Sequence, residues 1–236
     1  MPKHDWTRPT PERLAFAKSQ ALAALHPERS GWRLCRYYSA ESDYAGASFA
    51  TIGPNDPAAI GADDLFAVTL LSVSVPAGAA RLLTEIGETR QAVNEGLRAL
   101  PTASLQDVDE DGLHDMEVFY RHVKKALAKA GAENSNPWVT ASKLCARKRP
   151  DLFPVRDNVV CELLGLLPKG DYQVDWQLFR HLMRDSEVLD AIAVAGDAAT
   201  QAADGVELAL DQEPLRILDA ALWSSVMMSD RAGASA

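Results

Sequence analysis

The residues best suited to chemistry lie between Trp138 and Val160. Lys143, Arg147, Lys148 and Arg149 put four cations into seven positions of one helical segment. Pro150 breaks that segment, and Phe153-Pro154-Val155-Arg156-Asp157 carries the chain to the head of the next helix, with Asp157 at or near its N-cap. Upstream, a helix ending near Ala130 and another beginning near Trp138 are joined by Gly-Ala-Glu-Asn-Ser-Asn-Pro, a connection short enough to make a hairpin. Cations in such a hairpin suit phosphate oxygens, and a carboxylate beside them suits a positive charge that develops during reaction.

Charge distribution strengthens this reading. The chain carries −9 overall, which argues against a protein that coats DNA indiscriminately, because phosphate affinity scales with the cations that displace counterions. Yet Glu117 to Pro150 holds Arg121, Lys124, Lys125, Lys129, Lys143, Arg147, Lys148 and Arg149 against two glutamates, so this stretch carries +6 and the remainder −15. One basic face on an acidic body is the expectation.

Thr140-Ala141, followed 17 positions later by the aspartate of Phe-Pro-Val-Arg-Asp-Asn-Val-Val, resembles the core of the helix-hairpin-helix DNA glycosylase superfamily. The resemblance implies a mainly α, two-lobed helical fold with a central cleft, with the helix-hairpin-helix at 114–149 and the aspartate-bearing turn at 150–160. It implies that Asp157 is catalytic and supports the oxocarbenium-like charge formed when a base leaves its sugar. DNA or another nucleic acid would be the partner, its phosphates met by Lys143, Arg147, Lys148, Arg149, Asn136 and Thr140, with Trp138 positioned to stack on a base.

Two positions depart from that family. Its hairpin reads Gly-x-Gly so that backbone amides approach a phosphate, whereas Ser135-Asn136-Pro137 stands here and Pro137 has no amide. Members that cut the strand carry a Schiff-base lysine just before Thr-Ala, where this chain has Val139, so the implied reaction is hydrolytic. Ala62 to Pro76 and Thr140 to Val160 also look like an uncharacterised bacterial family with no assigned activity, a resemblance that covers more of the chain.

Other functions remain open: a non-catalytic nucleic-acid or partner-binding protein using the basic 121–149 face, or an N-glycosidase acting on free nucleosides or nucleotides. For Asp157, an ordinary N-cap and a cap with chemistry are both open; for the basic helix, so is a solvated face. Trp138 is also a natural packing anchor, and Tyr44, Phe49 and Tyr120 suit a core or a cleft wall. His114, Glu117 and His122 do not share one helical face, and no metal or other cofactor is expected. Asp63 and Asp64 fit a helix first turn, where they complement its dipole.

The elements that must position these residues are helical. Apolar spacing predicts helices over 11–25, 77–86, 88–100, 114–130, 138–149, 158–166, 174–183, 187–202 and 214–228. The apolar run Leu65 to Val75 reads as a core helix or a strand, and the aromatics, glycines and prolines of 32–57 suggest irregular loops or a short hairpin. Residues 11–228 form one globular unit, or two lobes sharing a cleft, between flexible tails at 1–10 and 229–236. Cys35, Cys145 and Cys161 are too widely spaced for a disulfide framework, and neither an export signal nor an apolar run of membrane-spanning length is evident. A cytoplasmic protein is expected; the oligomeric state stays open.

Overall fold

The computed structural model describes residues 6–44, 46–128 and 136–228. Most of the expected tails and the hairpin loop, including Lys129, Glu133 and Ser135, lie outside the described residues. Twelve helices are described: α1 (Pro11–Ala24), α2 (Pro27–Tyr38), α3 (Gly46–Phe49), α4 (Ala62–Thr69), α5 (Ala77–Thr84), α6 (Glu88–Ala99), α7 (Glu110–Ala128), α8 (Trp138–Lys148), α9 (Asn158–Leu163), α10 (Tyr172–Leu182), α11 (Ser186–Ala202) and α12 (Pro214–Met227). The fold is mainly α, as expected. Among the described residues extended pairing is limited to a single antiparallel bridge, Ser39 to Leu208. No described helix is long and apolar enough to cross a membrane.

The segment 32–57 corrects the sequence expectation. Its first part is α2, which has Pro27 in its first turn, Glu28 near the positive end of its dipole and Arg36 near the negative end. The β-forming character of Trp32, Tyr37 and Tyr38 is overridden by packing. Gly31 brings α2 so close to α11 that an added Cβ would lie 3.1 Å from Ala198. The run 65–75 resolves as the short helix α4 followed by turns, so its strand alternative falls.

The chain divides into two compact units. One comprises the described residues up to Ala47 and from Arg156 onward; the other is 48–155. In the first, α2 packs on α11 and α12, while α1 packs on α10, α11 and α12. Small buried residues make these contacts close: Ala17, Ala21 and Ala24 on α1, and Ala195, Gly196 and Ala199 on α11. Lys18 of α1 reaches Asp185, the N-cap of α11, at 2.7 Å. In the second unit α7 is the central helix, burying Met116, Phe119, Tyr120 and Val123 against α5, α6 and α8. Gly96 of α6 admits the Phe119 backbone, which an added Cβ would meet at 3.3 Å.

Candidate functional site

Helix α8 belongs to the second unit, and its cations are turned inward. Arg147 is 2% exposed. Its guanidinium donates to the Phe49 carbonyl at 2.9 Å, to Ile52 at 2.7 Å and to Ala50, and its Nε reaches Asp64 Oδ1 at 3.3 Å. These carbonyls lie at the last residue of α3 and just beyond it. A planar cation with five donors satisfies several of them at once.

Lys148, also buried, donates to Asp64 Oδ2 at 2.8 Å and to the Asp56 carbonyl at 2.7 Å. Asp64 thus accepts from two cations and, through Oδ2, from the Gly61 amide that opens α4. Its role exceeds the dipole complement expected of it. Lys143 donates to the Leu71 carbonyl at 2.7 Å, and Arg149 forms a two-pronged pair with Asp151 while donating to the Pro101 carbonyl at 2.6 Å. The four side chains therefore meet internal carbonyls and carboxylates in this conformation. A solvated basic face along α8 is not what forms.

The remaining residues of the hairpin are distributed differently. Trp138 is buried at the start of α8, Asn136 is exposed with its carbonyl accepting the Trp138 amide at 2.8 Å, and Thr140 is half-buried. Pro137 occupies the N-cap and makes no side-chain capping bond. The outer positions of α7 retain exposed cations: Arg121, with 71% of its side chain accessible, and Lys125 one turn later.

Asp157 belongs to the first unit. It is the N-cap of α9, with extended backbone angles, and its Oδ1 accepts the Val160 amide at 2.9 Å. It is 8% exposed. A carboxylate has about four lone-pair sites, so capping and electrostatic stabilisation are compatible in a single residue.

Around it stands a charged cluster. Arg156, fully buried, pairs with Asp175 of α10 at 2.5 Å and lies over the Trp176 ring at 5.7 Å. Burial pushes the Asp175 carboxyl up to about 6, against the opposing pull of Arg156. Burial also pushes the Cys161 thiol up to about 12; the charges of Asp175 and Asp157 add to this and Arg156 opposes it, so all three charges converge on that sulfur.

An aromatic group sits in the same unit. Tyr37, Tyr44 and Trp223 are half-buried, with ring centroids 5.7 to 6.4 Å apart. The Tyr37 phenol is raised by burial and then by Asp211, Asp219 and Asp157, so the charge of Asp157 reaches this ring. Tyr38 donates to Asp211 at 2.9 Å. Tyr44 was a candidate cleft-wall residue from sequence; Tyr37, Trp223, Asp175 and Asp211 were not singled out.

A signal for the inward cations was present in α8 itself. Trp138, Val139, Ala141, Leu144, Cys145 and Ala146 are spread around every turn, so the helix lacks a polar face and its cations must point into the protein. Among the described residues no group of three His, Cys, Asp or Glu is arranged to hold a metal ion. His114 is exposed and lies 3.9 Å from Glu117.

A family model described as a family of unknown function (DUF6308) matches residues 31–226, and the chain belongs to that family. No curated protein and no solved structure matches.

Proposed function

We propose that this member of a family of unknown function is a hydrolytic N-glycosidase, with Asp157 stabilising an oxocarbenium-like sugar and a nucleoside or nucleotide as substrate. The carrying observation is Asp157 itself: a buried carboxylate fixed by the Val160 amide at a helix start. In the reaction the C1′–N bond breaks with its electron pair going to the base. Water oxygen bonds C1′, one water proton is released, and the departing base takes up a proton. The reading carries with it a helix-hairpin-helix glycosylase-like fold.

A small substrate is favoured over a DNA duplex by the cations of α8 and its C-cap Arg149, which are engaged with Leu71, Asp64, Asp56, Asp151 and the 49–53 carbonyls, and by the −9 charge. The test is chromatography for free base after incubation with nucleosides, nucleotides, and duplexes bearing damaged or mismatched bases. Asp157→Asn keeps a capping side chain and removes the charge. Base release from nucleosides or nucleotides by the natural protein, and none by the variant, is expected. No release from any substrate, or equal release by the variant, overturns the reading; release from duplexes alone overturns the choice of substrate.

The exposed Arg121 and Lys125 favour a second reading, a non-catalytic protein that binds nucleic acid or an acidic partner through the outer side of α7. It predicts salt-dependent DNA binding that survives Asp157→Asn and is lost on charge reversal at both cations. Binding unaffected by the reversal ends it.

A further inference from the structure

We propose that Asp175 is a positioning residue for Asp157: by holding the Arg156 guanidinium against α10 it keeps the Asp157 carboxylate on the Val160 amide. The functional side of this inference rests on the glycosidase reading; the structural side does not.

The two residues are linked by covalent geometry. Arg156 and Asp157 share a peptide bond, and the Arg156 side chain is fixed at two points on α10: the carboxylate of Asp175 and the face of Trp176. Trp176 is held in turn by Tyr172, at a centroid distance of 5.0 Å, and by Trp6 at 6.0 Å. The backbone entering α9 is therefore anchored by a cation that cannot rotate without leaving both partners. The Asp157 carbonyl then accepts the Cys161 amide at 3.0 Å, so the anchor extends into the first turn.

The arrangement is also a competition. Arg156 is the cation whose charge reaches the Cys161 thiol, together with those of Asp157 and Asp175. The charges acting on Asp175 come from Arg156 just before α9, from Asp171 at the head of α10 and from Arg13 of α1, and Asp175 acts in turn on the Cys161 thiol of α9. While Asp175 is ionised, Arg156 has a buried counterion. Once Asp175 is neutral, the guanidinium remains buried without that counterion, and the carboxylate beside it in the chain is Asp157. Drawing Asp157 toward Arg156 removes it from Val160.

Asp175 is poised for this exchange. It is 1% exposed, and its Oδ1 is buried with no hydrogen-bond partner, which is why burial works against its ionised form. Its carboxyl stands near 6, so Arg156 changes partner as the pH falls through that value.

The test uses the full chain and reads the Val160 amide, because that N–H reports the Asp157 oxygen directly. Amide hydrogen exchange and the Val160 chemical shift are followed in the natural protein from pH 7.5 to 4.5, and in Asp175→Asn and Asp175→Glu at pH 7. The natural protein is expected to lose Val160 protection about tenfold with a midpoint near pH 6, one lost hydrogen bond being worth roughly that factor. Asp175→Asn is expected to show the low-pH behaviour already at pH 7, Asp175→Glu to restore part of the protection, and amides within α7 to stay unchanged.

Unchanged Val160 protection in Asp175→Asn overturns the proposal. If that variant does not fold, the natural protein's titration decides alone, and a flat Val160 response between pH 7.5 and 4.5 overturns it. Base release supplies the functional arm: kcat is expected to fall at least tenfold in Asp175→Asn with KM within twofold, and the acid limb of the pH profile to disappear. A Val160 response without any base release from the natural protein retires the glycosidase reading and leaves the positioning contact standing.

Discussion

Replacing Arg147 by Met retains an unbranched apolar stem while deleting the guanidinium, which isolates the contribution of its hydrogen bonds. Three carbonyls, those of Phe49, Ala50 and Ile52, lose their donor, and Asp64 loses one of its two cations. The Phe49 bond is buried and those to Ala50 and Ile52 are part-buried; at about 1 kcal/mol of net stabilisation per hydrogen bond, the three together account for about 3 kcal/mol. Asp64 keeps Lys148 and the Gly61 amide, so its loss is partial and adds about 1 kcal/mol. The sum, about 4 kcal/mol, falls within the roughly 3–5 kcal/mol found when one partner of a buried ion pair is removed. For a chain of this length it lowers the melting temperature by about 8–16 °C. Urea unfolding followed by circular dichroism, with thermal melts alongside, reads the effect. A loss below about 1 kcal/mol in Arg147→Met would show that the guanidinium is not the internal staple of residues 49–53, because a solvated phosphate-facing arginine has that signature.

Asp157→Ala removes the capping oxygen and is expected to cost about 1 kcal/mol in urea unfolding, while Asp157→Asn stays within a few tenths of a kcal/mol of the natural protein. Equal losses in the two variants would place the residue's structural role somewhere other than the Val160 bond. In the native protein at pH 8, a thiol reagent is expected to label Cys35 and spare Cys145 and Cys161, since Cys35 is half-buried and the other two are buried, with the Cys161 thiol raised to about 12. Mass spectrometry identifies the labelled site, and rapid labelling of Cys161 contradicts the packing around α9. Gly46→Ala places a Cβ 2.3 Å from the Tyr37 ring, a distance that forces the ring or the backbone to move. A destabilisation of about 1–3 kcal/mol is expected, with a change in near-ultraviolet dichroism from the Tyr37, Tyr44 and Trp223 group.

Local hydrogen bonds were legible in the sequence because they close within a few residues. Thr10 and Pro11 start α1 as expected, with the Arg13 amide on the Thr10 hydroxyl, and Asp157 caps α9 through an amide three positions on. The mainly helical class followed from apolar spacing in the same way. Helix α2 was hidden because its aromatic residues favour a strand locally, while its helical state is fixed by α11 and α12, far along the chain.

The charges are the instructive contrast. Sequence alone determined that four cations and one aspartate lie within Lys143 to Asp157, and that the aspartate stands at a helix start. Only the tertiary structure decided where those charges point. The acceptors of Arg147 lie 83 to 98 positions upstream, and Arg156 finds its counterion 19 positions downstream on a different helix. A cation near many charges of its own sign reads as surface in one dimension, because the carbonyls and carboxylates that can accept it arrive only when the chain folds back. Desolvation then acts on the assembled neighbourhood, raising Asp175 and Cys161 by burial among residues that sequence order does not place beside them.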